Sequence, residues 1–178
     1  MWRRGETDPQ RNGHPLYVFP RQGAGRVDDP EREYAVLYAC DSAAGAVAEA
    51  LGDYARWTPA VLAPPPAAPR GSALALVQIS GEPEILDLDD PSVLVKEALR
   101  PSGVVSRDRT VTQAWARRIH DLGRHAGVSW WSYRDPRWAA YGIWDRAALS
   151  VARTPEPLTM DHPAVLEAAS VLPRVMRG

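Results

Sequence analysis

The run EYAVLYAC, Glu33 to Cys40, alternates with a period of two, placing Tyr34, Val36, Tyr38 and Cys40 on one face and Ala35, Leu37 and Ala39 on the other. The next run, AAGAVAEALGDYARW over 43–57, repeats apolar residues Val47, Leu51 and Tyr54 at helical spacing. Only Asp41 and Ser42 separate the two periods, and either can cap the helix. The segment therefore reads as strand, tight turn and helix, which restricts the chain to folds that mix the two kinds of structure.

The remaining pattern is mixed but not regularly alternating. PLYVF (Pro15 to Phe19), ALALVQI, EILDL, VSWWSY, AAYGIWD and ALSVAR read as strands. DDPSVLVKEAL reads as a short helix with an acidic cap and Pro91 in its first turn. TVTQAWARRIHDLG reads as a longer helix, with Val111, Trp115, Ile119 and Leu122 on one stripe and Gly123 at its end. Residues 163–172 read as a terminal helix. TPAVLAPPPAAPRGS, residues 58–72, is too rich in proline for regular structure and reads as a surface loop. Without regular βαβ alternation, the expected class is α+β, a mixed sheet core with flanking helices. A length of 178 residues with 45% hydrophobic residues suits one domain spanning 1–178.

Composition removes several function classes. Lys96 is the only lysine among 21 Lys+Arg, yet the acids balance the arginines to a net charge of −1 and no basic run dominates, so nucleic acid is not an expected partner. Cys40 is the only cysteine, which excludes an internal disulfide and a cysteine-rich metal site. His14, His120, His125 and His162 do not fall at zinc-ligand spacing, so no metal is expected. The chain has no Walker phosphate loop, no G-x-S-x-G elbow and no complete G-x-G-x-x-G fingerprint. No run approaches the roughly 20 apolar residues that cross a bilayer, and the start MWRRGETDPQRN has no apolar segment, so a cytoplasmic location is expected.

What remains is an ordered set of short motifs: Trp2-Arg3-Arg4-Gly5, the loop Gly23-Ala24-Gly25-Arg26-Val27-Asp28-Asp29-Pro30, the strand end Leu37-Tyr38-Ala39, Ala46-Val47-Ala48-Glu49, and Gly127-Val128-Ser129-Trp130-Trp131-Ser132. In order and spacing they resemble the RES domain family, named for its arginine, glutamate and serine. The resemblance implies an ADP-ribosyltransferase-like fold and an enzyme that consumes NAD by hydrolysis or phosphorolysis of the nicotinamide–ribose bond, with phosphate as co-substrate in the second case. It also implies a toxin partnered by an Xre-type helix-turn-helix antitoxin. Position by position it carries the family arginine to Arg26, the tyrosine to Tyr38, the glutamate to Glu49 and the serine to Ser132. The N-terminal arginine falls on Arg3, with Arg4 one residue away.

The implied chemistry suits these residue types. Breaking an N-glycosidic bond develops positive charge on the ribose, which a fixed carboxylate stabilises, and that is the role expected of Glu49. Glu49 lies opposite the Val47/Leu51 stripe, with Gly45 and Gly52 at i−4 and i+3 expected to leave it unshielded. Arg26 is expected to grip the pyrophosphate bidentately with the flanking glycine amides beside it, the alternative being a surface arginine bridging Asp28 or Asp29. Arg3 would be a second phosphate donor. Tyr38 could stack on nicotinamide or belong to the core. Ser132, with Ser129 as competitor, could bond a ribose hydroxyl. Transfer of ADP-ribose to a protein or small-molecule acceptor, and a non-catalytic binding domain, remain open beside NAD cleavage.

Overall fold

A computed structural model describes residues 1–66 and 68–177. In chain order its principal elements are β1 (Leu37–Cys40), α1 (Ala43–Leu51), β2 (Ile85–Asp87), α2 (Pro91–Lys96), α3 (Pro101–Val104), α4 (Arg109–Asp121), β3 (Gly127–Trp131), β4 (Ala139–Ile143) and α5 (Pro163–Val171). The class is α+β, and contacts divide the chain into two compact units. Among the described residues no helix is long and apolar enough to cross a membrane.

One unit comprises Val18–Asp41 and Gly81–Leu149. Its sheet has the order β1-β4-β3-β2, antiparallel except for the parallel pair of β2 with β3. The register sets Tyr38 opposite Gly142 and Trp130 opposite Ala140. Gly142 is required there, since a Cβ would lie 2.4 Å from Val27 Cγ2 in the core. Val27, Val36, Leu88, Val104, Ile119 and Val128 form the fully buried centre, with Trp115 and Trp130 packed among them.

The alternation of EYAVLYAC extends further in sequence than the strand does, because only Leu37–Cys40 pairs. Upstream, side chains take over the backbone's bonds. Gln22 accepts the Val36 N–H through Oε1 at 2.6 Å and donates Nε2 to the Val36 carbonyl at 2.7 Å, as a neighbouring strand would. Asp29 Oδ2 accepts the Glu33 N–H at 2.6 Å. Helix α4 is capped by Asp108, whose carboxylate accepts the Thr110 N–H. Its buried face is Thr112, Gln113, Trp115, Ala116 and Ile119, whereas the expected stripe members Val111 and Leu122 are exposed. The stripe is rotated because two polar residues, Thr112 and Gln113, face inward.

The other unit comprises Met1–Tyr17, Ser42–Ser80 and Ser150–Gly178. Ser42 caps α1, its Oγ accepting the Gly45 N–H at 3.0 Å. The helix stops at Leu51 and does not run on to Trp57: Gly52 ends it, and the fully buried Trp57 donates its indole N–H to the Leu51 carbonyl. Helices α1 and α5 pack together through small buried residues, Ala44 and Ala48 on one and Ala164, Ala168 and Ala169 on the other. The ALALVQI region is not one strand but three two-residue pairings, with Trp2–Arg3, Glu156–Pro157 and Ser150–Val151. Pro15 to Phe19 is not a strand: a turn closes on the His14 carbonyl through the Tyr17 N–H, and the Leu16 N–H goes to the His14 ring. Within 58–72 the structure holds one short turn of helix, Pro59–Leu62, with Leu62 buried.

Gln22→Leu leaves both backbone groups of buried Val36 without their partner, so it should cost about 1–3 kcal/mol. A urea melt should show a lower midpoint with an unchanged slope.

Candidate functional site

The glycine loop is built around the carboxylate of Asp28, which is 3% exposed. Its Oδ2 accepts the Gly23 N–H at 2.8 Å and the Gly25 N–H at 2.7 Å, while Oδ1 accepts the Tyr38 hydroxyl at 2.7 Å. The Val27 N–H donates to the Tyr38 oxygen at 3.1 Å. Gly25 permits this closure: a Cβ there would lie 2.2 Å from Tyr38 Oη and 2.5 Å from Asp28 Oδ1. The loop's carbonyls are held from α4, where Gln113 Nε2 donates to Gly23 and Gly25, both at 2.9 Å, and Arg109 Nε donates to Ala24 at 3.2 Å.

The glycine amides expected to meet a pyrophosphate are thus committed to Asp28. A short side chain three residues after Gly25 and five after Gly23 is a better acceptor for them, because it is already anchored and buried. Arg26 projects away from this knot. Its Nη1 donates to the carbonyls of Val104 and Ser106 at 2.9 and 2.7 Å, and its guanidinium carbon lies 5.9 Å from the centre of the Trp130 ring. Asp29 serves another arginine. Arg117 donates to it from α4 and also pairs with Glu31, Glu33 and Asp121. Burial pushes the Asp29 carboxyl up, but the Glu33 and Glu31 amides and Arg117 outweigh it and hold the group below its ordinary value. An open groove of about 540 Å³ is lined by Asp29, Thr110, Gln113, Arg117 and Asp121, and by none of the expected site residues.

Tyr38 is neither plain core nor plain surface. The residue is 41% exposed, yet its hydroxyl end is desolvated, and burial together with donation to Asp28 pushes the phenol well above its ordinary value. Ser132 is 1% exposed and belongs to the turn after β3, its Oγ accepting the Arg134 N–H at 3.0 Å and its own N–H donating to the Trp138 carbonyl. Ser129 is buried too, and donates to Asp87 on the neighbouring strand at 3.1 Å.

Arg3 and Glu49 belong to the other unit. Arg3 lies on the two-residue strand Trp2–Arg3, and its guanidinium donates to Glu6, whose side chain is 7% exposed. Arg4, the adjacent candidate, is exposed. Glu49 is exposed in the last turns of α1, with Ala50 exposed beside it. Gly45 and Gly52 are buried, so their lack of side chains serves the packed face of the unit and not the rim around Glu49.

The residues that make the loop, Asp28 and Gln113, were not singled out as functional by sequence. Asp28 could have been: a carboxylate three residues after a glycine is the pattern of a side chain that closes its own turn. Gln113 had no such signal, since its 90-residue separation from Gly23 is visible only in the fold.

The family model of the RES domain matches residues 2–165. The chain belongs to the RES domain family. No curated protein and no solved structure matched it. The RES domain is known from toxin–antitoxin systems and from NAD-related activity, and the match covers this chain almost from end to end.

In this RES domain Tyr34 is raised as well, by burial and by the nearby Asp29 charge. Of six tyrosines, Tyr34, Tyr38 and, through burial, Tyr141 are raised, and Tyr34 and Tyr38, raised furthest, should stay protonated in the folded protein when a phenol of ordinary value 10.0 ionises. The unfolded chain releases those two protons and the folded chain does not, so stability should fall as pH rises above 10. Alkaline denaturation followed by circular dichroism and by tyrosinate absorbance checks this. The two phenols should ionise together with unfolding, and Tyr38→Phe should flatten the pH dependence.

Proposed function

We propose that the chain cleaves NAD at the nicotinamide–ribose bond, with water or phosphate as acceptor, and acts as the toxin of a toxin–antitoxin pair. The observation that carries this reading is the RES match over residues 2–165; the roles of the family's arginine, glutamate and serine are assigned to Arg26, Glu49 and Ser132. Glu49 is the carboxylate that stabilises positive charge on the ribose as neutral nicotinamide leaves. Its exposure on a rigid, capped helix supports that role, because such a group can meet a substrate without unfolding anything.

Tyr38 is assigned to the nicotinamide: its hydroxyl is fixed by Asp28, which leaves the exposed part of the ring as a stacking surface. Arg26 and Arg3 are assigned to the pyrophosphate. Arg26 also holds the segment that carries Val104 and Ser106, so its charge is kept in place by the carbonyls it binds. Ser132 acts through the turn that it closes. The neutralising partner is an Xre-type helix-turn-helix antitoxin.

Glu49→Gln keeps the shape and removes the charge, so turnover should fall on the order of 100-fold or more in a protein that melts as the parent does. Nicotinamide release measures it, and equal release by the folded variant overturns the assignment. Product analysis with and without phosphate separates free ADP-ribose from its phosphate ester. Expression of the chain alone in a bacterial host should arrest growth and deplete cellular NAD, whereas Glu49→Gln should do neither.

A further inference from the structure

The four-stranded sheet ends on β2, Ile85–Asp87, and among the described residues no further strand pairs beyond it. Its inner side is settled by two bonds: the Leu88 N–H donates to the Ser129 carbonyl at 2.9 Å, and the Glu84 carbonyl accepts the Ala126 N–H at 2.7 Å. In a parallel ladder alternate residues direct their backbone groups to opposite sides. Glu84, Leu86 and Leu88 therefore bond toward β3, and the N–H and C=O groups of Ile85 and Asp87 point outward. This open edge is bounded at both ends. Pro83, the next residue of the same parity, has no N–H to offer, and the Asp89 N–H is taken by Asp87 Oδ1 at 3.0 Å.

The segment that carries the edge is acidic. Glu82, Glu84, Asp87, Asp89 and Asp90 are all exposed, and no lysine, arginine or histidine occurs from 71 to 95. Asp87 also accepts the Ser129 hydroxyl and Asp90 accepts the Ser92 N–H, but these donors are neutral and leave the negative charge in place. Among the described residues the ion-pair contact of this group is Glu84 with His125, whose buried Nδ1 lies 3.6 Å away and has no hydrogen-bond partner.

Open backbone groups favour an added strand, and the carboxylates select which one. A second copy would set one row of acids beside another, so like charges oppose that pairing. A basic segment gains both the backbone bonds and the opposite charge. We infer that the outer edge of β2 is a docking strand for an extended segment of another protein rich in arginine or lysine. The order β1-β4-β3-β2 puts this edge at the opposite end of the sheet from the strand that carries Tyr38, so the inference does not rest on the proposed function.

The probe is a capped five-residue peptide alternating arginine with valine, titrated at low salt into the 15N-labelled full chain. The amide signals of Ile85 and Asp87 should move progressively and carry the largest shifts. The same peptide N-methylated on the residues that face the edge keeps its charge and loses its donors, and should bind at least fivefold more weakly. A glutamate-for-arginine peptide should not bind. The triple variant Glu82→Gln/Glu84→Gln/Asp89→Asn should weaken the arginine peptide at least fivefold and reduce its salt dependence, whereas Glu167→Gln, on the exposed side of α5, should change neither.

No movement of the Ile85 and Asp87 signals, equal binding of the N-methylated peptide, or equal binding by the folded triple variant overturns the inference. Shifts of the same two amides with protein concentration alone, accompanied by dimer formation in sedimentation, overturn it in favour of a second copy.

Discussion

The buried carboxylate of Asp28 is the interaction on which the glycine loop depends. An ionised group almost removed from water costs several kcal/mol unless donors replace the lost hydration. Here two amides and a phenol do so, and all three come from the segment Gly23 to Tyr38 that the carboxylate organises. The exchange runs both ways. The amides would be orphans in a loop without Asp28, and the Tyr38 hydroxyl would lack the acceptor that fixes its ring. Gly25 is the one residue type that lets the three groups close together, so the backbone and the charge specify each other.

From that knot the constraint passes outward through Arg26. Because the loop's amides face Asp28 and its carbonyls face Gln113 and Arg109, the loop has little freedom to carry its arginine anywhere else. Arg26 in turn anchors the carbonyls of Val104 and Ser106, and the segment it anchors leads directly into the cap of α4. Helix α4 returns Gln113 and Arg109 to the loop. The circuit explains why polar Gln113 occupies the inner face of that helix.

Periodicity revealed those parts of the fold whose local and tertiary demands agree. Helices α1, α2, α4 and α5, with their caps or first-turn prolines, were legible because each carries its own start signal. The first half of EYAVLYAC misled because alternation records burial, not pairing: Val36 is buried as a strand residue would be, but its partner is the side chain of Gln22. Apolar Val111 and Leu122 misled for the opposite reason, since pattern alone cannot know that a distant loop needs a glutamine and an arginine from the same helix. For the candidate site, the ordered motifs pointed to Arg26, Tyr38, Glu49 and Ser132 as a set. They could not reveal that the glycine amides would be spent within the loop, because that depends on which way one carboxylate turns.

The arginine-rich, almost lysine-free composition also has a structural reading. A guanidinium offers several donors in one plane, so a single side chain can hold two or more acceptors that a lysine would have to share at one point. Arg26 holds two carbonyls, Arg117 bridges Asp29, Glu31, Glu33 and Asp121, Arg137 forks onto Asp135, and Arg174 reaches the Gly52 carbonyl at the end of α1. Arginines used this way act as staples within a protein of net charge −1. Arg107 is used differently. It is rigidly mounted and exposed, it rests on an aromatic ring, and no carboxylate among the described residues pairs with it.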